Sequence, residues 1–130
     1  NNLCDHGEAT EKRGAIAARC AVEQGKRVAI SGVGGLSGSV FTRHIEPADD
    51  HIVKPEEDQW NRTILGLIEA GNLAALKEQL PLYIKQARVD MGFKHFSWLL
   101  GALNGQFKAA KVHHYGALYG SGAAVVEFTL

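Results

Sequence analysis

The residues with the clearest chemical potential lie in one loop. Arg27 to Ser39 reads as an apolar run, Val28-Ala29-Ile30, followed by four glycines in seven residues from Gly32 to Gly38. Glycine admits positive φ and close backbone approach. A buried strand ending in such a loop delivers it to the rim of an α/β sheet, where ligands bind. Backbone N–H groups in a turn of this kind can hold a phosphate or another small anion. The familiar phosphate motifs are not met, because no Gly-Lys-Ser/Thr follows and Ser37 stands where a dinucleotide fingerprint has its third glycine. Gly35-Leu36-Ser37-Gly38 also falls short of a nucleophile elbow, since position 39 is Ser. A small-anion or nucleotide-binding α/β module is one reading of the loop, and a tight turn at a sheet edge is the other.

The remaining candidates are histidines and one lysine. His113 and His114 are adjacent on a predicted strand, so they point to opposite faces and do not converge on one metal. His44 and His51, with Glu46, Asp49 and Asp50 nearby, offer a weak metal site or a solvated polar loop. His95 lies on an apolar helix beside Lys94. It is the weak catalytic candidate, set against a satisfied core or interface histidine. The Lys94 ammonium, among Phe93, Phe96 and Trp98, must reach water, a carboxylate or a partner chain. Cys4 and Cys20 lack metal-type spacing and are expected to be free thiols.

Fourteen basic residues balance fourteen acidic ones, so no charge excess draws the chain to nucleic acid or an anionic membrane. No apolar run reaches the ~20 residues of a membrane helix. These features favour a cytoplasmic protein without nucleic-acid or membrane partners. At 130 residues and 45% hydrophobic, residues 1–130 fit a single domain with a real core. The start, Asn1-Asn2-Leu3, lacks an initiator Met and suggests a processed or truncated chain, the later part of a longer protein.

The elements that would position these groups follow from periodicity. Residues 8–24 are predicted helical, capped by Thr10 or Asp5, with a small apolar face of Ala9, Ile16, Ala17, Cys20 and Ala21, and Gly25 as C-cap. Val28 to Val33 reads as a buried strand and residues 40–56 as an excursion rich in breakers. Such an excursion forms a lid, a partner contact or a partly disordered loop. A second helix begins near Glu56, burying Trp60, Ile64, Leu67 and Ile68 and ending at Gly71. Asn72 caps a short helix carrying Leu73, Leu76 and Leu80, which Pro81 breaks, or else starts anew, before residues 82–88. Phe93 to Asn104 is a helix with Phe96, Leu99, Leu100 and Leu103 on one face. Lys111–Tyr115 and Ala123–Phe128 form strands around a Gly120-Ser121-Gly122 turn. The expected class is α/β, with helices packed on a mixed sheet.

Four segments in order resemble the class III (LigB-type) extradiol ring-cleaving dioxygenases. They are Val28 to Ser37, with its Gly-Gly-x-Ser; Trp60-Asn61-Arg62 with Leu67 to Asn72; Phe96 to Leu103; and Tyr119 to Phe128. Ala87 to His95 resembles a family member built from two kinds of subunit. The resemblance implies the C-terminal part of the LigB-type fold. It also implies O₂-dependent opening of an aromatic ring such as 2-aminophenol at an Fe(II) held by two His and one Glu, a facial triad with open positions. In this family the two His ligands come from the N-terminal half of the fold, the Glu from the Trp helix, and a catalytic His follows Gly-Gly-x-Ser. Matched onto this chain, Lys94 stands at the Glu position and Gly38 at the catalytic His position. Lysine repels Fe(II) and glycine transfers no proton. The resemblance therefore implies an accessory, non-catalytic α-type subunit with no cofactor of its own, in a hetero-oligomer with a β-type subunit that carries Fe(II). The loop 34–46 and the helix face 91–98 are the expected partner contacts. A catalytic LigB-type fragment, with Asp90 or His95 as ligand, is the alternative.

Overall fold

The computed structural model describes residues 6–130. Helix α1 spans His6–Glu23, α2 Pro55–Glu69, α3 Leu73–Gln86 and α4 Lys94–Ala102; strands β1 Ala109–Leu118 and β2 Ser121–Thr129 close the chain. The class is α/β, with helices against a two-stranded antiparallel hairpin. Of the two expected caps, Thr10 lies inside α1, which begins at His6, ahead of the predicted start, and Asp5, with Leu3 and Cys4, lies outside the described residues; Cys20 is a free, exposed thiol.

The core forms where three stripes meet. α2 contributes Ile64, Leu65 and Ile68, α3 contributes Leu76 and Tyr83, and the approach to α4 and its body contribute Phe93, Phe96 and Leu100. Asn72 caps α3 by accepting from Ala75 N–H at 3.1 Å, after Gly71 turns the chain at φ 64°. Pro81 does not break α3: it sits on the exposed side, while Leu76 and Tyr83 anchor the turns around it. Trp60 and Leu67 are only partly buried, because the α2 stripe is rotated onto Glu57 and Asn61.

α4 starts later than the pattern suggests. Asp90–Phe93 is a short 3-10 turn in which Met91, Gly92 and Phe93 take positive φ, of 47°, 62° and 59°. Left-handed non-glycine residues cost about 1 kcal/mol or more each, so such a turn persists only where packing holds it. Phe93 supplies that packing, stacking on Phe96 with centroids 5.0 Å apart and meeting Tyr83 edge-on at 5.6 Å.

α1 lies on α4 rather than on a sheet, and through a different face from the one expected. Ile16, Ala17 and Cys20 face outward. The contact runs through Gly14, where a Cβ would overlap the Trp98 carbonyl oxygen, and Gly101, where one would overlap the Glu11 carbonyl oxygen. Glycine rather than apolar bulk therefore sets this crossing.

The predicted strand Val28–Val33 is absent. The segment is extended, Val33 is 87% exposed, and among the described residues no backbone hydrogen bond ties Arg27–Gly34 to another segment. A strand exists only through a ladder partner, and none of the described residues supplies one. Val28 and Ile30 instead line an apolar trough of about 630 Å³ with Val22, Phe107 and Leu130.

The hairpin is longer than predicted, and its turn is Tyr119-Gly120 rather than Gly120-Ser121-Gly122. Both turn residues have positive φ, 53° and 91°, the signature of a two-residue type I′ connection. Ser121 and Gly122 belong to β2. The pairing jumps from Val112↔Val126 to His114↔Val125, making His113 the extra residue of a β-bulge. The excursion 40–56 is pinned to this turn. The Asp50 carboxylate accepts the Tyr119 and Gly120 N–H groups at 2.6 and 2.8 Å, and the Tyr119 hydroxyl donates to Arg43 O at 2.7 Å.

Gly101→Ala should lower stability by about 1–3 kcal/mol through overpacking against α1. Gly66→Ala, in α2 where a Cβ meets nothing within 4 Å, should instead raise it by roughly 0.5–1 kcal/mol. Urea unfolding of the two variants checks the contrast.

Candidate functional site

The glycine loop is not an anion cradle. Five consecutive N–H groups, from Gly35 to Ser39, all donate to protein acceptors. These are Asp90 Oδ2 at 3.2 Å, Gly122 O at 2.9 Å, Asn61 Oδ1 at 3.2 Å, Ala87 O at 3.0 Å and Glu57 Oε2 at 3.3 Å. Two of these acceptors are carboxylates, which would repel an anion in the same place. No helix follows the loop either: residues 39–46 are irregular and lead into the short turn Pro47–Asp49. The phosphate-binding reading therefore loses both its donors and its helix dipole.

Beneath the loop is a buried polar cluster. Asn61 is fully buried and spends its amide completely: Nδ2 donates to Ser37 Oγ at 2.8 Å and to the Tyr115 hydroxyl at 3.1 Å. Its Oδ1 accepts from Ser37 N and, at 2.8 Å, from the Tyr83 hydroxyl. Ser37 Oγ in turn accepts from Gly122 N at 3.1 Å. Glu57, also fully buried, accepts from Ser39 Oγ at 2.6 Å, with Lys54 Nζ 4.0 Å away. Among the described residues no buried side-chain polar atom lacks a partner. A fully satisfied buried network fixes geometry rather than leaving a reactive group free. Ser37, the nominal nucleophile, is 1% exposed and is consumed in this way.

The cluster reaches solvent through Tyr115, whose hydroxyl donates to Asp58 Oδ1 at 2.5 Å, while Arg62 pairs with Asp58 at 3.0 Å and lies over the Tyr115 ring. The Tyr115 hydrogen bond holds the Asp58 carboxyl below its usual range; partial burial opposes this and Arg62 reinforces it. Burial, with the Asp58 hydrogen bond, pushes the Tyr115 hydroxyl up to about 12. Burial raises the Tyr83 hydroxyl as well, helped by the neighbouring Tyr115 and Glu57 charges. Both phenols therefore stay protonated donors at neutral pH.

Two residues singled out in the sequence, Asp90 and His95, come together beside the loop. Asp90 holds Gly35 N–H, and the His95 imidazole lies so close to Gly34 that a Cβ there would overlap it. Burial lowers the pKa of His95, partly offset by the charge of Asp90. Lys94, next in the chain, is half-buried in the first turn of α4, and its ammonium makes no ion pair or hydrogen bond among the described residues. Gly38 is shut in: its N–H meets Ala87 O, and a Cβ would overlap the Arg88 carbonyl oxygen.

The other histidines do not assemble a site. His44 pairs with Glu46 at 3.1 Å, His51 contacts Asp49 O at 2.8 Å, and Asp50 is committed to the hairpin turn. His113 pairs with Glu127 at 2.8 Å. Among the described residues no three His, Cys, Asp or Glu side chains are grouped to hold a metal. Around the loop the donor set is one imidazole and one already engaged carboxylate, too few ligands to fit Fe(II).

Sequence reasoning missed Glu57 and Asn61. The signal was present: counting back from Ile68 and Ile64 by helical steps lands on Asn61 and Glu57, which continue the buried stripe with polar residues.

No protein-family model matches the chain. Over all 130 residues it is 63% identical to a 2-aminophenol 1,6-dioxygenase alpha subunit from Pseudomonas sp, of which it spans 48%. It is 28% identical over 115 residues, 84% of the chain, to a 2-aminophenol 1,6-dioxygenase beta subunit from Pseudomonas sp, of which it spans 37%. The chain thus spans half or less of the length of these curated relatives. In sequence it stands nearer this alpha subunit than this beta subunit. This agrees with the family resemblance carried by its four ordered segments.

Asn61→Leu should cost about 2–4 kcal/mol, because Ser37 N–H and the Tyr83 hydroxyl lose their buried acceptor. Chemical denaturation measures it, and a loss near zero would contradict the network's role. Asp58 supplies a pH test. Its lowered pKa contributes stability that is present above the unfolded value, about 4, and lost as pH falls through the folded value. The stability gap between the native protein and Tyr115→Phe should hold steady above about pH 5 and narrow below about pH 4.

Proposed function

We propose that the chain is an accessory, non-catalytic polypeptide of an extradiol dioxygenase assembly that opens an aromatic ring such as 2-aminophenol with O₂. Its partner in this reading is a β-type subunit that holds Fe(II), in a cytoplasmic hetero-oligomer, and residues 1–130 act as one domain. The observation that carries the reading is the pairing of Lys94 with Gly38. Matched by the family resemblance, Lys94, a half-buried cation, falls at the carboxylate-ligand position, and Gly38, which has no room for a side chain beside the Arg88 carbonyl, falls at the catalytic-His position. The 63% identity to an alpha subunit supports the same assignment.

In this reading the chain binds and shapes rather than reacts. Its part is to hold the loop rigid through Asn61 and Glu57 and to present the exposed edge of Val33, Val40 and Met91 to the catalytic partner. These residues fall on or beside the segments 34–46 and 91–98.

The test is co-expression with a β-type subunit, followed by iron analysis and oxygen uptake with 2-aminophenol. The chain alone should bind no stoichiometric iron and show no turnover, while the complex does both. In the assembled complex, Lys94→Ala, His95→Ala and Asp90→Ala should each keep kcat within about twofold. A collapse of kcat in His95→Ala or Asp90→Ala with the complex intact would overturn the reading in favour of a catalytic role.

A further inference from the structure

Residues 27–34 have the build of a strand without its neighbour. None of them has positive φ, and contacts alternate along the segment. Val28 and Ile30 border the apolar trough, Gly32 and Gly34 lie against His95, and Ala29, Ser31 and Val33 stand exposed. This is the two-residue period of a pleated strand. Its peptide groups are nevertheless spare: among the described residues, no N–H or C=O from Arg27 to Gly34 has a hydrogen-bond partner. A row of unpaired peptide groups is a template for another strand.

We propose that residues 28–33 pair, by strand addition, with an extended segment of the polypeptide that the alpha-subunit relative carries outside the matched 130 residues. More than half of that subunit's length lies there.

Two features define the incoming segment. A strand laid beside Val28 and Ile30 places every second side chain over the trough of about 630 Å³, walled by Val22, Phe107 and Leu130. Apolar side chains at alternate positions fit there. Lys26 and Lys108, both exposed, also border the trough, and neither they nor Arg27 has an ion pair among the described residues. Three unmatched cations at one end of the edge favour acidic side chains on the incoming segment.

Hydrogen exchange of the isotope-labelled chain tests this, alone and with the unmatched part of that alpha subunit co-expressed as a separate polypeptide. Alone, amides 28–33 should exchange without protection. In the complex, protection should appear at every second residue, which an edge ladder produces and a face contact does not. Ala29→Pro and Ile30→Pro each remove one N–H, and the two N–H groups point to opposite edges. At least one variant should weaken binding about tenfold or more, while Ala29→Val, which keeps its donor, should not. Ala29→Pro should leave the urea midpoint of the chain alone unchanged, because no ladder is lost. If the separate part does not fold, it is joined to the chain in the relative's order and the same alternation is read. No complex, protection without alternation, or unchanged binding in both proline variants would overturn the proposal. So would protection that a second copy of this chain or a β-type subunit supplies instead. Strand pairing needs neither iron nor turnover, so its failure leaves the subunit reading standing.

Discussion

Five neighbouring peptide N–H groups, Gly35 to Ser39, bind the loop to four separate parts of the chain: the Ala87–Asp90 turn, β2, and two positions of α2. A buried peptide donor left without an acceptor costs free energy comparable to a lost hydrogen bond. The loop can therefore enter the interior only if α2, the hairpin and the turn before α4 all stand where they do. Asn61 is the hub, since its one amide serves the loop, Tyr83 of α3 and Tyr115 of β1 together.

The same constraint explains the unusual backbone ahead of α4. Arg88, Met91, Gly92 and Phe93 all lie at positive φ. The turn carries Ala87 O, which accepts from Gly38, and Asp90, which both donates its N–H to Leu36 O and accepts from Gly35. Those contacts, with Phe93 seated between Tyr83 and Phe96, offset the strain. The turn also fills the space beside Gly38. The glycine at 38 and the conformation of residues 88–93 are two sides of one packing solution.

Several features were legible because local rules decide them. Asn72 as a cap, Gly25 and Gly71 as helix ends, the apolar stripes of α2 and α4, and a C-terminal hairpin all follow from side-chain chemistry and short-range spacing. Others were not, because they depend on distant partners. Val28–Val33 has the composition of a buried strand, yet a strand is defined by its ladder. The buried face of α1 is not legible in the pattern, because the contact with α4 is made by Gly14 and Gly101, which carry no hydrophobic signal. The turn at Tyr119-Gly120 is not distinguishable in the sequence from one through Gly122, and only the cross-strand register separates them.

What the sequence alone determined is the chemistry on offer: an ammonium at 94 and no side chain at 38, read through ordered segments that point to one family. Residue type settles such matters, since no folding converts a lysine into an anionic ligand. What only the tertiary structure decided is where each polar group finds its partner. Glu57 and Asn61 look like ordinary helix residues until α2 turns them inward, and the glycine loop looks like an anion site until its donors are seen to be spent. Hydrogen bonds between residues tens of positions apart leave no local trace, so their satisfaction can be counted only in three dimensions.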